Sequence, residues 1–298
     1  MISNPTAAMR NSAYKKGPSR LIVFTDLDGS LLNHGDYSWE AARPALDKIR
    51  ELGIPLIICT SKTRLEVEFI QKEINIQGPF IVENGGGIFF HQEYRSIPVG
   101  SAIIIDNYRC IPLGLTYARI RSFIEEACKE FSIRGFGDMD IAEIAARTGL
   151  PMEKAFMAKK REFTELFVLE HEEELDSLNK TANLKGFMIT RGERFFHCMG
   201  YGNDKGSAVM MVREILFRHW KTKTISMGFG DSPNDFPLLK AVDIPVLIPH
   251  EDGSYEDLEL PGLSRALYPG SRGWNEAALM IITDTLAKTQ KTRKVSKS

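Results

Sequence analysis

An apolar run, Leu21-Ile-Val-Phe-Thr25, ends in Asp26-Leu27-Asp28-Gly29-Ser30, so two carboxylates two residues apart meet a glycine turn. A short apolar run closed by turn residues reads as a buried strand of a parallel sheet, and open α/β sheets bind ligands at the carboxyl ends of their strands. Acidic pairs beside glycine are common in turns, so the chemistry depends on what else the chain brings to the same edge. Thr60 and Ser61 close a second apolar run, Lys205 opens a helix, and Asp231 and Asp235 follow a third strand in Gly230-Asp-Ser-Pro-Asn-Asp235. Gathered carboxylates repel one another unless a cation neutralises them, and hard oxygen ligands suit Mg2+. Such a cation with one ammonium and small hydroxyls is built to hold a phosphoryl group, whose transfer depends chiefly on positioning and charge neutralisation. Singly, each group has a plainer account: strand-end polar residues, a solvated lysine, and acids that helix N-termini favour anyway. Found together and in order, they point to catalysis.

The elements that must position these groups alternate. A strand at about 20–25 leads to a helix from Ser38 to Leu52, whose Ala42, Leu46 and Ile49 share a face, with Gly53 as its stop and Pro44 awkward near its start. A strand over 54–59, a helix over 63–74 and the strand Phe80–Val82 follow, the last ending in Glu83-Asn84-Gly85. This rhythm predicts an α/β fold with a doubly wound, mostly parallel sheet. Beyond Gly87 a hairpin is expected to pair Ile88–Phe90 with Ala102–Ile105. Helices then predominate near 116–131, 140–148, 151–160 and 171–184, with short strands near 163–169, 186–190 and 194–198. That is an inserted α+β cap domain. The alternation resumes with a helix from Asp204 to Trp220, a strand at 224–229, a helix at 235–241, a strand at 244–248 and a helix at about 274–287. The expected organisation is a disordered extension at 1–18, a catalytic core at 19–111 and 196–288, a cap at 112–195 and a basic tail at 289–298.

Length and composition bound the function. The chain has 298 residues, 43% hydrophobic and 26% charged, which describes a soluble protein of about two domains. Its net charge of −1 argues against nucleic-acid or anionic-membrane partners. Cys59, Cys110, Cys128 and Cys198 form no CxxC pair, as expected of idle thiols in a reducing compartment. No apolar run is long enough to span a membrane and no apolar segment follows the polar first 19 residues, so a cytoplasmic protein is expected, and Asn179-Lys-Thr181 is a chance glycosylation match. The absence of GxGxxG after the first strand disfavours a dinucleotide-binding oxidoreductase.

With Asp26-Leu-Asp28-Gly29-Ser30, Thr60-Ser61, Lys205 and Gly230-Asp231-Ser-Pro-Asn234-Asp235 in order, the chain resembles the haloacid dehalogenase superfamily of phosphohydrolases. The resemblance implies a doubly wound core with a mobile cap of the C2 type. It implies Asp26 as nucleophile through an aspartyl-phosphate, Asp28 as general acid and base, and Lys205 neutralising phosphoryl charge. Mg2+ would be held by Asp26, the Asp28 carbonyl and Asp231, with Asp235 close by. Thr60, Ser61, Asn234 and the Leu27–Asp28 turn would meet the phosphate, and Gly29 lets that turn form.

Within the superfamily the chain is most similar to mannosyl-3-phosphoglycerate phosphatases. The residues that carry this are Cys59-Thr-Ser-Lys-Thr63, Val82-Glu-Asn-Gly-Gly86, Gly137-Asp-Met-Asp140, Thr148-Gly-Leu-Pro151, Arg161-Glu-Phe-Thr-Glu165 and Thr190-Arg-Gly-Glu-Arg-Phe-Phe-His197. Thr60-Ser61-Lys62 departs from the superfamily's common Thr-Gly-Arg in that family's direction. A phosphorylated sugar-acid substrate follows from the resemblance. Arg161, Arg191 and Arg194 are the arginines suited to clamp its carboxylate. Glu83, Asn84, Glu165, Thr190 and His197 are candidates for its hydroxyls, and Lys62 and Arg64 line the entrance. Glu165 as a strand charge, His197 as a core histidine and Thr190-Arg191-Gly192 as a plain turn are the competing accounts. Rival functions are phosphatases of glucosyl-3-phosphoglycerate or sucrose phosphate, a phosphosugar mutase, and a non-catalytic phosphometabolite sensor.

Overall fold

The computed structural model describes residues 20–192 and 194–295, with side chains up to residue 288. The extension expected at 1–18 lies outside the described residues, as do the last three residues of the basic tail.

The central sheet follows from inner strands too apolar to face water on either side. β1 (Arg20–Thr25), β2 (Leu56–Cys59), β3 (Phe80–Val82), β4 (Gly87–His91), β5 (Ile103–Ile105) and β6 (Tyr108–Pro112) form one half of it. With β11 (Thr224–Gly230), β12 (Ile244–Leu247) and β13 (Ser264–Arg265) they make a nine-stranded sheet in the order β13-β12-β11-β1-β2-β3-β4-β6-β5. β13 through β3 are mutually parallel, and β4, β6 and β5 complete an antiparallel edge. Alternate residues of β1 face opposite layers. Val23 packs with Leu46 and Ile49 of α1 (Arg43–Leu52), Val67 of α2 (Arg64–Glu73) and Trp274 of the last helix. Ile22 and Phe24 pack with Val209, Val212 and Leu216 of α7 (Lys205–Trp220) and with Leu238 of α8 (Phe236–Lys240). Helices on both faces of a parallel sheet define the doubly wound α/β class. The sequence expectation holds.

The insertion builds a second sheet, antiparallel, from β7 (Ile133–Gly135), β8 (Thr164–Leu169), β9 (Phe187–Arg191) and β10 (Phe196–Gly200), in the order β7-β8-β10-β9. One face is covered by α3 (Tyr117–Ala127) and α6 (Leu175–Leu184) through Ile120, Phe123 and Leu178 against Phe167 and Phe196. The other face meets α4 (Ile141–Thr148) and α5 (Met152–Lys159) through Ile144 and Ala155 against Leu166 and Val168.

Four details differ from expectation. Pro44 lies in the first turn of α1, where its missing N–H costs nothing, and a 3-10 turn at Glu40–Ala42 precedes it. The strand Ile88–Phe90 does not pair with Ile103–Ile105: Tyr108–Pro112, unread as a strand, lies between them. Phe196–Gly200, expected on the core side of a boundary at 196, pairs with β8 and β9 in the second sheet. The last helix, α9, runs from Gly270 to Val295, through most of the segment read as a tail.

Candidate active site

Parallel register delivers the site. Thr25 is level with Ile58 of β2 and Phe229 of β11, so Asp26, Thr60 and Asp231 emerge within two residues of one level on three adjacent strands. Asp26 N–H donates to Phe229 O at 2.9 Å, and the Thr25 hydroxyl donates to Asp26 O at 2.7 Å. Trp274, fully buried on α9, donates its indole N–H to that hydroxyl at 2.9 Å. The nucleophile candidate is therefore gripped from behind. Neither Thr25 nor Trp274 carried any functional signal in the sequence.

At the centre lies the Lys205 ammonium, 2.7 Å from Asp26 Oδ1 and 2.6 Å from Asp235 Oδ1, its side chain fully enclosed. Burial alone would lower the Lys205 pKa, but the flanking Asp235 and Asp26 carboxylates outweigh it and raise the pKa. The other Asp235 oxygen accepts from the backbone N–H groups of Asp231 and Ser232 at 3.1 and 3.2 Å and from the Ser232 hydroxyl at 3.1 Å. Asp235 is thus spent on holding Lys205 and its own loop. Asp231 accepts from the Ser30 hydroxyl at 3.2 Å. A Cβ on Gly29, whose φ is +73°, would fall 2.3 Å from Asp231 Oδ2, so only glycine lets the two loops approach.

Oxygens of Asp26, Asp231 and Asp235 lie within 4.8 Å of one another, all three buried. Burial and the Asp235 charge push the Asp26 carboxyl up to about 7 in spite of Lys205. Burial, Asp235 and Asp26 push Asp231 up to about 9. Such crowding is the electrostatic demand that a bound cation satisfies, and an all-oxygen donor set suits a hard divalent ion. The residues present fit a divalent metal.

Asp28 stands beside this group. Its Oδ2 pairs with Lys62 Nζ at 2.8 Å, while its Oδ1 is buried without a hydrogen-bond partner. Thr60 is buried; its hydroxyl accepts from Lys62 N–H at 3.2 Å and its carbonyl from Asn84 N–H at 3.0 Å. Glu83 and Asn84 both adopt left-handed backbone, with φ of +51° and +56°, a strained pair of the kind that gathers at functional sites. The Asn234 amide reaches Asn84 Oδ1 at 3.4 Å. Asp26, Asp28, Thr60, Ser61, Lys205, Asn234, Asp231, Asp235 and Asn84 therefore share one strand-end site.

The residues expected to hold the rest of a substrate divide differently. Glu83 is fully buried and accepts from Glu162 N–H, Phe163 N–H and the Thr164 hydroxyl at 2.8, 3.0 and 2.7 Å. Arg161 pairs with Glu83 at 3.5 Å and donates to Thr164 Oγ1 and Ser61 O, both at 2.8 Å. Together they fasten the insertion to the phosphate-side loop rather than face a ligand. Phe163 completes this foot by lying against Gly86, where a Cβ would come within 2.4 Å of its own. Glu165 is enclosed on the face that α3 and α6 cover, bonded to Arg121 at 2.9 Å and Gly137 N–H at 2.8 Å. Arg191 lies over the Phe196 ring and pairs with exposed Glu172, and Arg194 donates to Thr148 O at 2.9 Å. None of the three arginines is poised as a carboxylate clamp. Thr190 and His197 are register partners on the other face, with Leu166 and Thr164. Burial, Arg161 and Lys205 hold the His197 pKa down at about 3, and its Nδ1 is buried without a partner.

A mostly parallel sheet whose strand ends gather a buried lysine and crowded aspartates points to a class, and similarity to known proteins agrees. A family profile described as haloacid dehalogenase-like hydrolase matches residues 23–104. A glucosyl-3-phosphoglycerate/mannosyl-3-phosphoglycerate phosphatase of Persephonella marina is 48% identical over 264 residues, covering 89% of this chain and 98% of the relative. One of the same description from Methanococcoides burtonii is 44% identical over 265 residues, covering 88% and 97%. The chain belongs to the haloacid dehalogenase-like hydrolases, and within them it is a phosphatase of phosphomonoesters similar to these two proteins. Among solved structures, Thermoplasma acidophilum 0175 shares the fold at a TM-score of 0.62 and 19% identity, covering 87% of this chain and 96% of that one. The sucrose-phosphatase of Synechocystis shares it at 0.54 and 12%, covering 91% and 98%. Among the described residues no helix is long and apolar enough to cross a membrane.

Proposed function

We propose that the protein hydrolyses the phosphomonoester of a glycosyl-3-phosphoglycerate, mannosyl or glucosyl, by way of an aspartyl-phosphate on Asp26 and with Mg2+ as the divalent ion. The observation that carries the chemistry is the Lys205 ammonium bridging Asp26 and Asp235, with Asp231 beside them, at the ends of three parallel strands. The substrate rests on the 48% and 44% identical relatives, matched over nearly their whole length.

The residues divide the work as follows. Lys205 holds Asp26 Oδ1, which orients Oδ2 toward phosphorus. Oδ2 attacks, the P–O bond to the glycerate oxygen breaks, and that oxygen takes a proton from Asp28. Asp28 then accepts a proton from water as the water oxygen attacks phosphorus; the bond to Asp26 breaks, phosphate leaves and the carboxylate is restored. Thr60 and Asn234 hydrogen-bond the phosphoryl oxygens, with Ser61 and the Leu27–Asp28 backbone at the same turn. Lys205 offsets the charge that grows on them. Asp26, Asp231 and the Asp28 carbonyl would hold Mg2+, which supplies charge neutralisation on the phosphoryl group. His197, neutral at working pH, and Thr190 offer hydrogen bonds to sugar hydroxyls from the insertion.

Free phosphate released in the presence of Mg2+ tests this, with mannosyl- and glucosyl-3-phosphoglycerate set against sucrose 6-phosphate and mannose 6-phosphate. The expected result is preference for the glycosyl phosphoglycerates and no release by Asp26→Asn at unchanged thermal stability. Turnover retained by Asp26→Asn removes Asp26 from the nucleophile role, and flat activity across the panel removes the substrate.

A further inference from the structure

The substrate proposed above carries a carboxylate, and every arginine expected to meet it is committed elsewhere. Two lysines lie closer to the leaving-group side of the site. Lys62, from the loop after β2, and Lys154, from α5 of the insertion, lie 5.2 and 5.9 Å from the centroid of one ring, that of Tyr37. Lys154 also lies 5.8 Å from the Phe69 ring, is partly buried, and forms no ion pair among the described residues. Both line a narrow cleft between core and insertion, walled by Leu150 and Met157. Lys62 joins that cleft to Asp28, on the side where the leaving oxygen departs. Glu66 and Glu73 also border the cleft; one Glu66 oxygen accepts from Thr63 N–H and the Thr63 hydroxyl, both at 2.9 Å, capping α2, and the other lies 3.9 Å from Lys62 Nζ, which leaves Lys154 as the ammonium of the cleft with no carboxylate within ion-pair distance among the described residues. Tyr37 has φ of +57°, a region that aromatic residues rarely adopt, fixed by its N–H on Asn33 O at 3.1 Å. A partly buried ammonium without a counter-ion, a strained aromatic platform and a second ammonium at the acid–base aspartate converge on an anion.

We infer that Tyr37, Lys62 and Lys154 form the subsite for the substrate's non-transferred carboxylate and so select phosphorylated sugar acids over neutral sugar phosphates. The inference rests on the phosphatase reading and deepens it. Lys154 comes from the insertion and Lys62 from the core, so a carboxylate between them also ties the two parts together around a bound substrate.

The experiment compares mannosyl-3-phosphoglycerate with the ester whose carboxylate is reduced to a primary alcohol, in wild type, Lys154→Gln and Lys154→Arg. The ratio of kcat/KM for the acid over the alcohol is expected to fall at least tenfold in Lys154→Gln, through KM, and to recover in part in Lys154→Arg. An unchanged ratio, or equal losses on both esters, overturns the subsite. Calorimetric binding of mannosylglycerate against mannosylglycerol needs no turnover: preference for the acid that Lys154→Gln abolishes supports the subsite, and equal binding overturns it. Hydrolysis of neither ester by the wild type would instead overturn the phosphatase reading, and the binding measurement keeps the two failures apart.

Discussion

Glu83→Gln is the substitution whose cost the structure sets most clearly. Glu83 is fully buried, takes three hydrogen bonds from residues 162–164 and faces Arg161, whose side chain is 2% exposed. A carboxamide keeps one acceptor oxygen, so its NH2 must oppose at least one donor, an orphaned N–H costing about 1–3 kcal/mol. It also removes the counter-charge of an enclosed guanidinium, and breaking a buried pair costs about 3–5 kcal/mol. The two overlap, since both concern the same oxygens, and about 4 kcal/mol is the expected total. Against a typical stability of about 5–15 kcal/mol this is severe. At roughly 2–4 °C per kcal/mol for a domain of this size, the melting temperature should drop by roughly 8–16 °C. Urea titration of wild type, Glu83→Gln, Arg161→Met and the double variant gives the coupling directly. The double variant should be distinctly less unstable than the sum of the singles, because it no longer buries a lone charge. A Glu83→Gln cost under about 1 kcal/mol, or strictly additive singles, would refute the account of this residue as the fastening of the insertion.

Two further outcomes are expected. Lys205→Met should lower single-turnover phosphate release by about 10²–10³, the loss seen when one preorganised electrostatic donor is removed, and a drop under tenfold would take Lys205 out of the chemistry. With chelator present, Asp26 and Asp231 have folded pKa values of about 7 and about 9, well above those of unfolded aspartates. Their stabilising contribution is therefore full below about pH 4 and lost as pH rises through 7 to 9. Melting curves should show Mg2+ stabilising far more at pH 8.5 than at pH 5; an equal gain at both would contradict the crowded-acid geometry.

The gathering of residues at one sheet edge was legible because three of them sit where an apolar run stops. Asp26, Thr60 and Asp231 each follow four or more buried strand residues, and strand ends are what period and composition report. Tyr108–Pro112 was missed because Arg109 interrupts its apolar pattern; the guanidinium folds back onto Tyr94 O and Ile97 O, which no pattern reveals. β7, three residues long with Arg134 in the middle, is too short to show a period. The surroundings of the arginines were hidden for a related reason. Residue type told that Arg161, Arg191 and Arg194 can bind carboxylates, but backbone carbonyls and Glu172 claim them, and that competition exists only in three dimensions. For Glu165, strand alternation separates two faces, both covered by helices, without telling which one carries Arg121 and the Gly137 N–H.

The bond from Trp274 to Thr25 spans 249 positions, and β1 meets residues 204 positions away in β11 but only 33 positions away in β2. Contacts of such separation form late, because loop closure must precede them. On the ribosome, β1 can meet β2 early but must wait for β11 and then for α9 before its remaining neighbours exist. The strand-end cluster of Asp26, Lys205 and Asp231 therefore cannot assemble before residue 231 has been made, and Trp274 closes behind it later still.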